Sequence, residues 1–166
     1  MAQRTISVGY HPRRGRVRSL PPLVLGIEDG TAEAAGIMAP MVNTYEEALK
    51  IVQSSKYPPK GVRGAGFGFA HDNYKNEGPL NYIEKANNNL INIIQIETKV
   101  GLENVEKIAA IDGVDCLWVG HFDLTNFLGI PGQFSSEIYL NAINRVVAAA
   151  KLNKKSLGIM VNNHDE

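Results

Sequence analysis

Cysteine is almost absent: Cys116 is the only one in 166 residues, so no internal disulfide can staple the fold. It sits in an apolar run, where a small buried hydrophobe is a better reading than a nucleophile. Its isolation fits a reducing setting, and we expect a cytoplasmic protein. An excess of charge of either sign is also lacking. With 17 Lys+Arg against 17 Asp+Glu, no overall field favours nucleic acid or an anionic membrane as partner. Uninterrupted apolar runs of the roughly 18–20 residues needed to span a bilayer are missing, so no membrane role is expected. No repeat of solenoid type occurs.

Acidic residues are missing from one stretch in particular. Ahead of Glu28 the chain carries Arg4, Arg13, Arg14, Arg16 and Arg18 and no acid, a compositional feature shared with organelle transit peptides. Pro12, Pro21 and Pro22 disfavour a sustained amphipathic helix there, and a flexible basic arm over residues 1–33 is the better account. The overall 44% apolar and 20% charged residues fit one globular domain able to bury a core, expected over residues 34–166.

From about Ala34 the pattern turns to short apolar runs alternating with helix-like segments, the signature of βαβ units on a parallel sheet. Gly36 to Met41 reads as a strand, followed by a helix with Thr44 as N-cap and Glu46 and Glu47 in its first turn. Pro79 to Asn88 reads as a weaker helix. Leu90 to Glu97 predicts a strand, Gly101 to Ile111 a helix with Leu102, Val105, Ile108 and Ala109 on one face, and Val114 to Val119 the next strand. A helix from Ser135 or Ser136 to Leu152 then leads to a strand from Leu157 to Val161.

Period-two alternation places Ile91, Ile93, Gln95 and Glu97 on one face, apolar at the start and polar at the carboxyl end. Barrel interiors have this character, with aliphatic layers below and reactive groups at the C-terminal mouth. The following strand opens into Gly120-His121-Phe122-Asp123-Leu124-Thr125, so Glu97 and Asp123 are expected at neighbouring strand mouths. Two carboxylates suit a hard cation such as Mg²⁺ or Mn²⁺, which keeps positions for water and substrate oxygens. A Glu at a strand end and an Asp in a loop are also common as solvated or capping groups.

Four segments in register then carry a resemblance. Met38-Ala39-Pro40-Met41-Val42-Asn43-Thr44, Tyr57-Pro58-Pro59-Lys60-Gly61-Val62-Arg63-Gly64, Gln95-Ile96-Glu97-Thr98, and Gly113-Val114-Asp115 through Gly120-His121-Phe122-Asp123-Leu124-Thr125 resemble the HpcH/HpaI aldolase/citrate lyase family. The resemblance covers about Ala34 to Ile159. It implies a (β/α)₈ barrel and a class II aldolase, with Glu97 and Asp123 as ligands of Mg²⁺ or Mn²⁺. It also implies that the backbone of Gly120, His121, Phe122 and Asp123 receives the carboxylate of a small 2-oxo acid, with Gln95 nearby. The reaction implied is carbon–carbon cleavage or formation through a pyruvate enolate, on 4-hydroxy-2-oxo acids or 2-dehydro-3-deoxy sugar acids.

Departures from the family pattern shape the remaining expectations. Family members carry a base histidine and a substrate-holding arginine in an earlier half of the barrel. Residues 1–33 hold neither motif, and His11 lacks the acidic strand-end context. Position 121 is often proline in the family, and His71 stands where an arginine is common. These departures predict a partial barrel lacking its N-terminal part and last unit, whose open edges favour a homo-oligomer. They also predict weak turnover, because a positioned base contributes about 10²–10⁴ in rate.

His121, two residues from a candidate ligand, is the candidate replacement base, although lining the pocket accounts better for a histidine here. Gly64 to Gly68 is not a phosphate loop of G-x-G-x-x-G type and reads as a substrate loop. Arg63 reads equally well as an anchor of its turn or as a contact to an acidic substrate. Trp118 reads as core. A citrate-lyase-like or malyl-thioester lyase would need a basic cluster for a coenzyme A tail, and residues 64–130 show none. A degenerate metal-binding or oligomerising remnant is the non-enzymatic alternative.

Overall fold

A computed structural model describes residues 6–8, 23–27, 34–68, 74 and 78–160. His11, His71 and the strand end expected at Val161 lie outside them. Strands β3 (Ala34–Ala39), β4 (Ile91–Ile96), β5 (Cys116–Val119) and β6 (Ser156–Ile159) run parallel, side by side in chain order. On the β3 edge, β2 (Leu23–Ile27) and then β1 (Ile6–Val8) add antiparallel. All four strands expected from the apolar runs are present, and the connections between them are helical. The protein is therefore α/β with a parallel sheet.

Local chemistry starts these helices. Helix α1 (Tyr45–Ser55) opens on a reciprocal cap: the Thr44 hydroxyl accepts from the Glu47 amide at 3.2 Å, while the Glu47 carboxylate accepts from the Thr44 amide at 3.2 Å. Helix α2 (Pro79–Asn89) has proline in its first turn, where no amide donor is lost. Helix α6 (Glu137–Leu152) starts at Ser136, whose hydroxyl accepts from the Tyr139 amide, and buries Tyr139, Ala142, Val146, Ala149 and Ala150 on one stripe.

Three segments depart from expectation. The arm expected to be flexible over residues 1–33 contributes β1 and β2, because backbone pairing of 23–27 with β3 and of 6–8 with β2 extends the sheet. The helix expected over 101–111 is two short ones, α3 (Lys99–Glu103) and α4 (Val105–Ala109), because Asn104 sits at φ −106°, ψ 6° and its side chain donates to Asn43 O and Val100 O. The loop expected after Gly120 is helix α5 (His121–Phe127). Thr125 holds that turn: its hydroxyl donates to Phe122 O at 2.8 Å and accepts from the Gly132 amide at 3.1 Å.

The two faces of the sheet have different neighbours. Ile94, Ile96, Leu117 and Val119 join Ala48, Val52, Val105, Ile108 and Val146 in the main core beneath the helices. Burial of each such valine, leucine or isoleucine contributes about 1.5–3 kcal/mol. On the opposite face, Met38, Ile93 and Cys116 form a second cluster with Trp118 against it. The Trp118 ring lies over Gly158 so closely that a Cβ there would collide with it. Burial pushes the Cys116 thiol up to about 11, which keeps it protonated and inert near neutrality.

At the amino end of β4, Asn87 joins α2 to the chain leaving α1. Its Oδ1 accepts from the Tyr57 amide at 2.7 Å and its Nδ2 donates to Tyr57 O at 3.0 Å. The buried Lys56 ammonium donates to Asn87 O and Leu90 O, both at 2.7 Å, and burial lowers its pKa. Asn87→Ala orphans the buried Tyr57 amide, while Tyr57 O still accepts from the Gly61 amide at 3.1 Å. We expect a loss on the order of 1–3 kcal/mol for that orphaned amide, measured by urea unfolding. A change within a few tenths of a kcal/mol would contradict this assignment.

Candidate active site

Alternation along β4 sends Ile94 and Ile96 into the helical layer and leaves Ile93, Gln95 and Glu97 on the other face. Glu97 follows the last residue of β4 and is 2% exposed, too deeply placed for a solvated surface acid. Its carboxylate is held at both oxygens. Oε1 accepts from the Met41 backbone amide at 2.6 Å, and Oε2 accepts from Gln95 Nε2 at 2.5 Å. A carboxylate accepts at about four positions, so these bonds leave room for another partner.

Among the described residues that partner is not a protein cation. Burial raises the Glu97 pKa, the Met41 amide opposes the shift, and the charge of Asp123 adds to it through the facing carboxylate. The groups that shift it are Met41, Asp123 and Gln95, with no lysine or arginine among them. Asp123 lies in the first turn of α5, directly after β5, while Glu97 directly follows β4; these neighbouring strands pair in parallel, Ile96 beside Val119. The two carboxylates thus meet at adjacent strand mouths. Gly120 lies between these elements at an ordinary φ of −83°, so torsion does not demand glycine. Proximity does: a Cβ there would come within 2.5 Å of Glu97 Oε2 and 2.7 Å of Gln95 Nε2.

A pair of acids, Glu97 buried beside the bare Gly120 backbone and Asp123 exposed at the next strand mouth, is chemically suited to a divalent cation. Among the described residues no cluster of three or more His, Cys, Asp or Glu side chains forms, so such a cation would keep positions for water and substrate oxygens. The profile of the HpcH/HpaI aldolase/citrate lyase family matches residues 22–166. The chain belongs to this family.

Among its HpcH/HpaI relatives, a hydroxypyruvate/pyruvate aldolase of Deinococcus radiodurans is 38% identical over 119 residues, which are 69% of this chain and 43% of that protein. A 5-keto-4-deoxy-D-glucarate aldolase of Salmonella paratyphi C is 38% identical over 124 residues, 74% of this chain and 47% of that protein. The chain therefore spans less than half the length of these curated relatives. A solved HpcH/HpaI aldolase/citrate lyase family protein from Burkholderia cenocepacia superposes with a TM-score of 0.74 at 32% identity, over 81% of this chain and 53% of that one.

The remaining sequence candidates are placed as follows. Gln95 is half-buried beside Glu97, and Gly120 lies over both. Phe122 is exposed. The His121 ring packs in an aromatic group, 4.4 Å from the Phe122 centroid and 5.3 Å from that of Phe134. Arg63 stacks 4.6 Å over the ring of the buried Tyr57, an anchor for its turn. Sequence reasoning missed the Met41 amide. A backbone donor leaves no residue-type signature, and its position depends on the neighbouring strand. Among the described residues no helix is long and apolar enough to cross a membrane.

Proposed function

We propose that this chain forms the metal-binding part of a carbon–carbon lyase acting on small 2-oxo acids, with Mg²⁺ or Mn²⁺ held by Glu97 and Asp123. The observation that carries this reading is the buried Glu97 carboxylate facing Asp123 at adjacent parallel strand ends with no protein cation among the described groups around it. A divalent cation there supplies Lewis-acid polarisation of the oxo group during cleavage of a 4-hydroxy-2-oxo acid or a 2-dehydro-3-deoxy sugar acid. The relatives' names point to the same substrate class.

The chain's own residues do the positioning. Gln95 orients Glu97 and presents its amide to the substrate, and the first-turn amides of α5 at His121, Phe122 and Asp123 receive the substrate carboxylate. His121 is the candidate for proton transfer. Residues 34–166 are the barrel-type unit of this reading, preceded by a basic segment over 1–33. Parallel strands in sequential order, with a helical layer on one face and an apolar-to-polar inner face on the other, favour an arc of a (β/α)₈ barrel. The β6 edge, with Leu157 and Ile159 exposed, favours association with a second copy in the cytoplasm.

The test is calorimetric titration of pyruvate into the Mn²⁺-loaded chain, beside an assay of pyruvate release from a 4-hydroxy-2-oxo acid. Pyruvate binding should require the cation and disappear in Asp123→Ala. Binding that is indifferent to both would overturn the proposal. Where release is measurable, His121→Ala should lower the rate by about 10²–10⁴ if the imidazole moves the proton. A smaller effect assigns it to lining the pocket.

A further inference from the structure

We infer that Asn43 is a positioning residue for Glu97: it ties the β3–α1 loop to the chain just after β4 and so holds the Met41 amide against the carboxylate. The inference rests on the reading of Glu97 as a cation ligand.

Met41 donates to Glu97 Oε1 at 2.6 Å from a φ of 56°, a left-handed conformation that a side-chain-bearing residue keeps only where its surroundings impose it. Asn43 supplies that constraint on several sides. Its Nδ2 donates to Met41 O at 3.0 Å, two residues back, and its Oδ1 accepts from the Thr98 hydroxyl. Its backbone amide donates to Glu47 Oε2 at 2.7 Å, and its carbonyl accepts from Asn104 Nδ2 at 3.0 Å.

The other end of this junction is equally fixed. Thr98 directly follows Glu97, is 5% exposed, and its hydroxyl also accepts from the Gly101 amide at 2.9 Å, capping α3. Gly101 sits so close beneath the loop that a Cβ would come within 2.6 Å of Val42 O. The loop is thus joined to the segment carrying Glu97 at the carboxylate, at Thr98, at Gly101 and at Asn104. A surface turn that merely connects a strand to a helix needs none of these bonds. Their common effect is to keep one amide aimed at one oxygen of a buried acid, leaving the carboxylate plane set for a ligand.

Asn43 is suited to this because its amide both donates and accepts. Alanine removes both bonds. Thr98→Val removes the hydroxyl that donates to Asn43 and caps α3, whereas Thr98→Ser keeps it.

The experiment measures Mn²⁺ affinity by electron paramagnetic resonance and, in the chain without added metal, hydrogen exchange at the Met41 amide. Glu97→Ala is the control. Asn43→Ala and Thr98→Val are expected to weaken Mn²⁺ binding about 10–100-fold, the usual effect of losing an outer hydrogen-bond partner, and to speed exchange at Met41. Thr98→Ser is expected to keep both readouts near those of the unaltered chain. If Asn43→Ala does not melt cooperatively, the milder Asn104→Ala should shift both readouts in the same direction by less. Unchanged exchange and affinity in Asn43→Ala, with binding abolished in Glu97→Ala, would overturn the inference and leave the cation site standing. Unchanged affinity in Glu97→Ala would overturn the cation site itself and the inference with it.

Discussion

Glu97→Ala is expected to abolish Mn²⁺ binding, a larger loss than the roughly 10–100-fold typical of removing an outer-shell partner. Glu97 is the only buried acid of the described residues, and it lies where two strand mouths meet. Removing it leaves Asp123 as an exposed carboxylate without its partner. Affinity should also depend on pH. Burial and the facing Asp123 raise the Glu97 pKa, so protons compete with the cation above the usual carboxylate range, and Mn²⁺ binding should weaken as pH falls through the raised value.

Stability without metal follows the opposite course. A carboxyl with a raised folded-state pKa contributes stability that is present below its unfolded pKa and lost as pH rises through the folded value. The metal-free chain should therefore become more stable on mild acidification across that window, as far as this group is concerned. Glu97→Gln should flatten that dependence, and urea unfolding at several pH values measures it. Mn²⁺ affinity that survives in Glu97→Ala, or a metal-free profile identical in Glu97→Gln, would refute the assignment.

Gly120→Ala should combine loss of cation binding with loss of stability. The added methyl would come within 2.5 Å of Glu97 Oε2 and 2.7 Å of both Gln95 Nε2 and the Glu97 Cβ. None of these atoms is the free end of a flexible surface chain: Glu97 is buried and bonded at both oxygens. Forcing a methyl into a packed site typically costs 1–3 kcal/mol, and about that loss is expected here in urea unfolding. Gly64→Ala is the matched control, because a Cβ there meets nothing within 4 Å. Equal effects of the two substitutions, or intact Mn²⁺ binding in Gly120→Ala, would show that the close approach at Gly120 is not a constraint.

Much of this site was legible in residue order. The alternation of Ile93, Gln95 and Glu97 against Ile94 and Ile96 separates the two faces of β4, and the observed burial follows it. Thr44 with Glu47 and Ser136 with the Tyr139 amide start helices at the expected places. Elsewhere local pattern was insufficient. The apolar spacing of Leu102, Val105, Ile108 and Ala109 reads as one helix, yet Asn104 interrupts it by reaching across to Asn43 O. His121 reads as lining the pocket or as a replacement base, and only the fold sets its ring against Phe122 and Phe134.

By itself the sequence determined which residues share a strand face, where α1, α2 and α6 begin, and which acids follow strand ends. These follow from the two-residue period of a strand and from hydrogen bonds spanning three residues, both set by covalent geometry within a short segment. Only the tertiary structure decided that Glu97 faces Asp123, that the Met41 amide holds one of its oxygens, and that Gly120 must lack a side chain. Each of those depends on which strands become neighbours and how closely their backbones approach, and no local period encodes a distance between segments that meet only after the chain has folded.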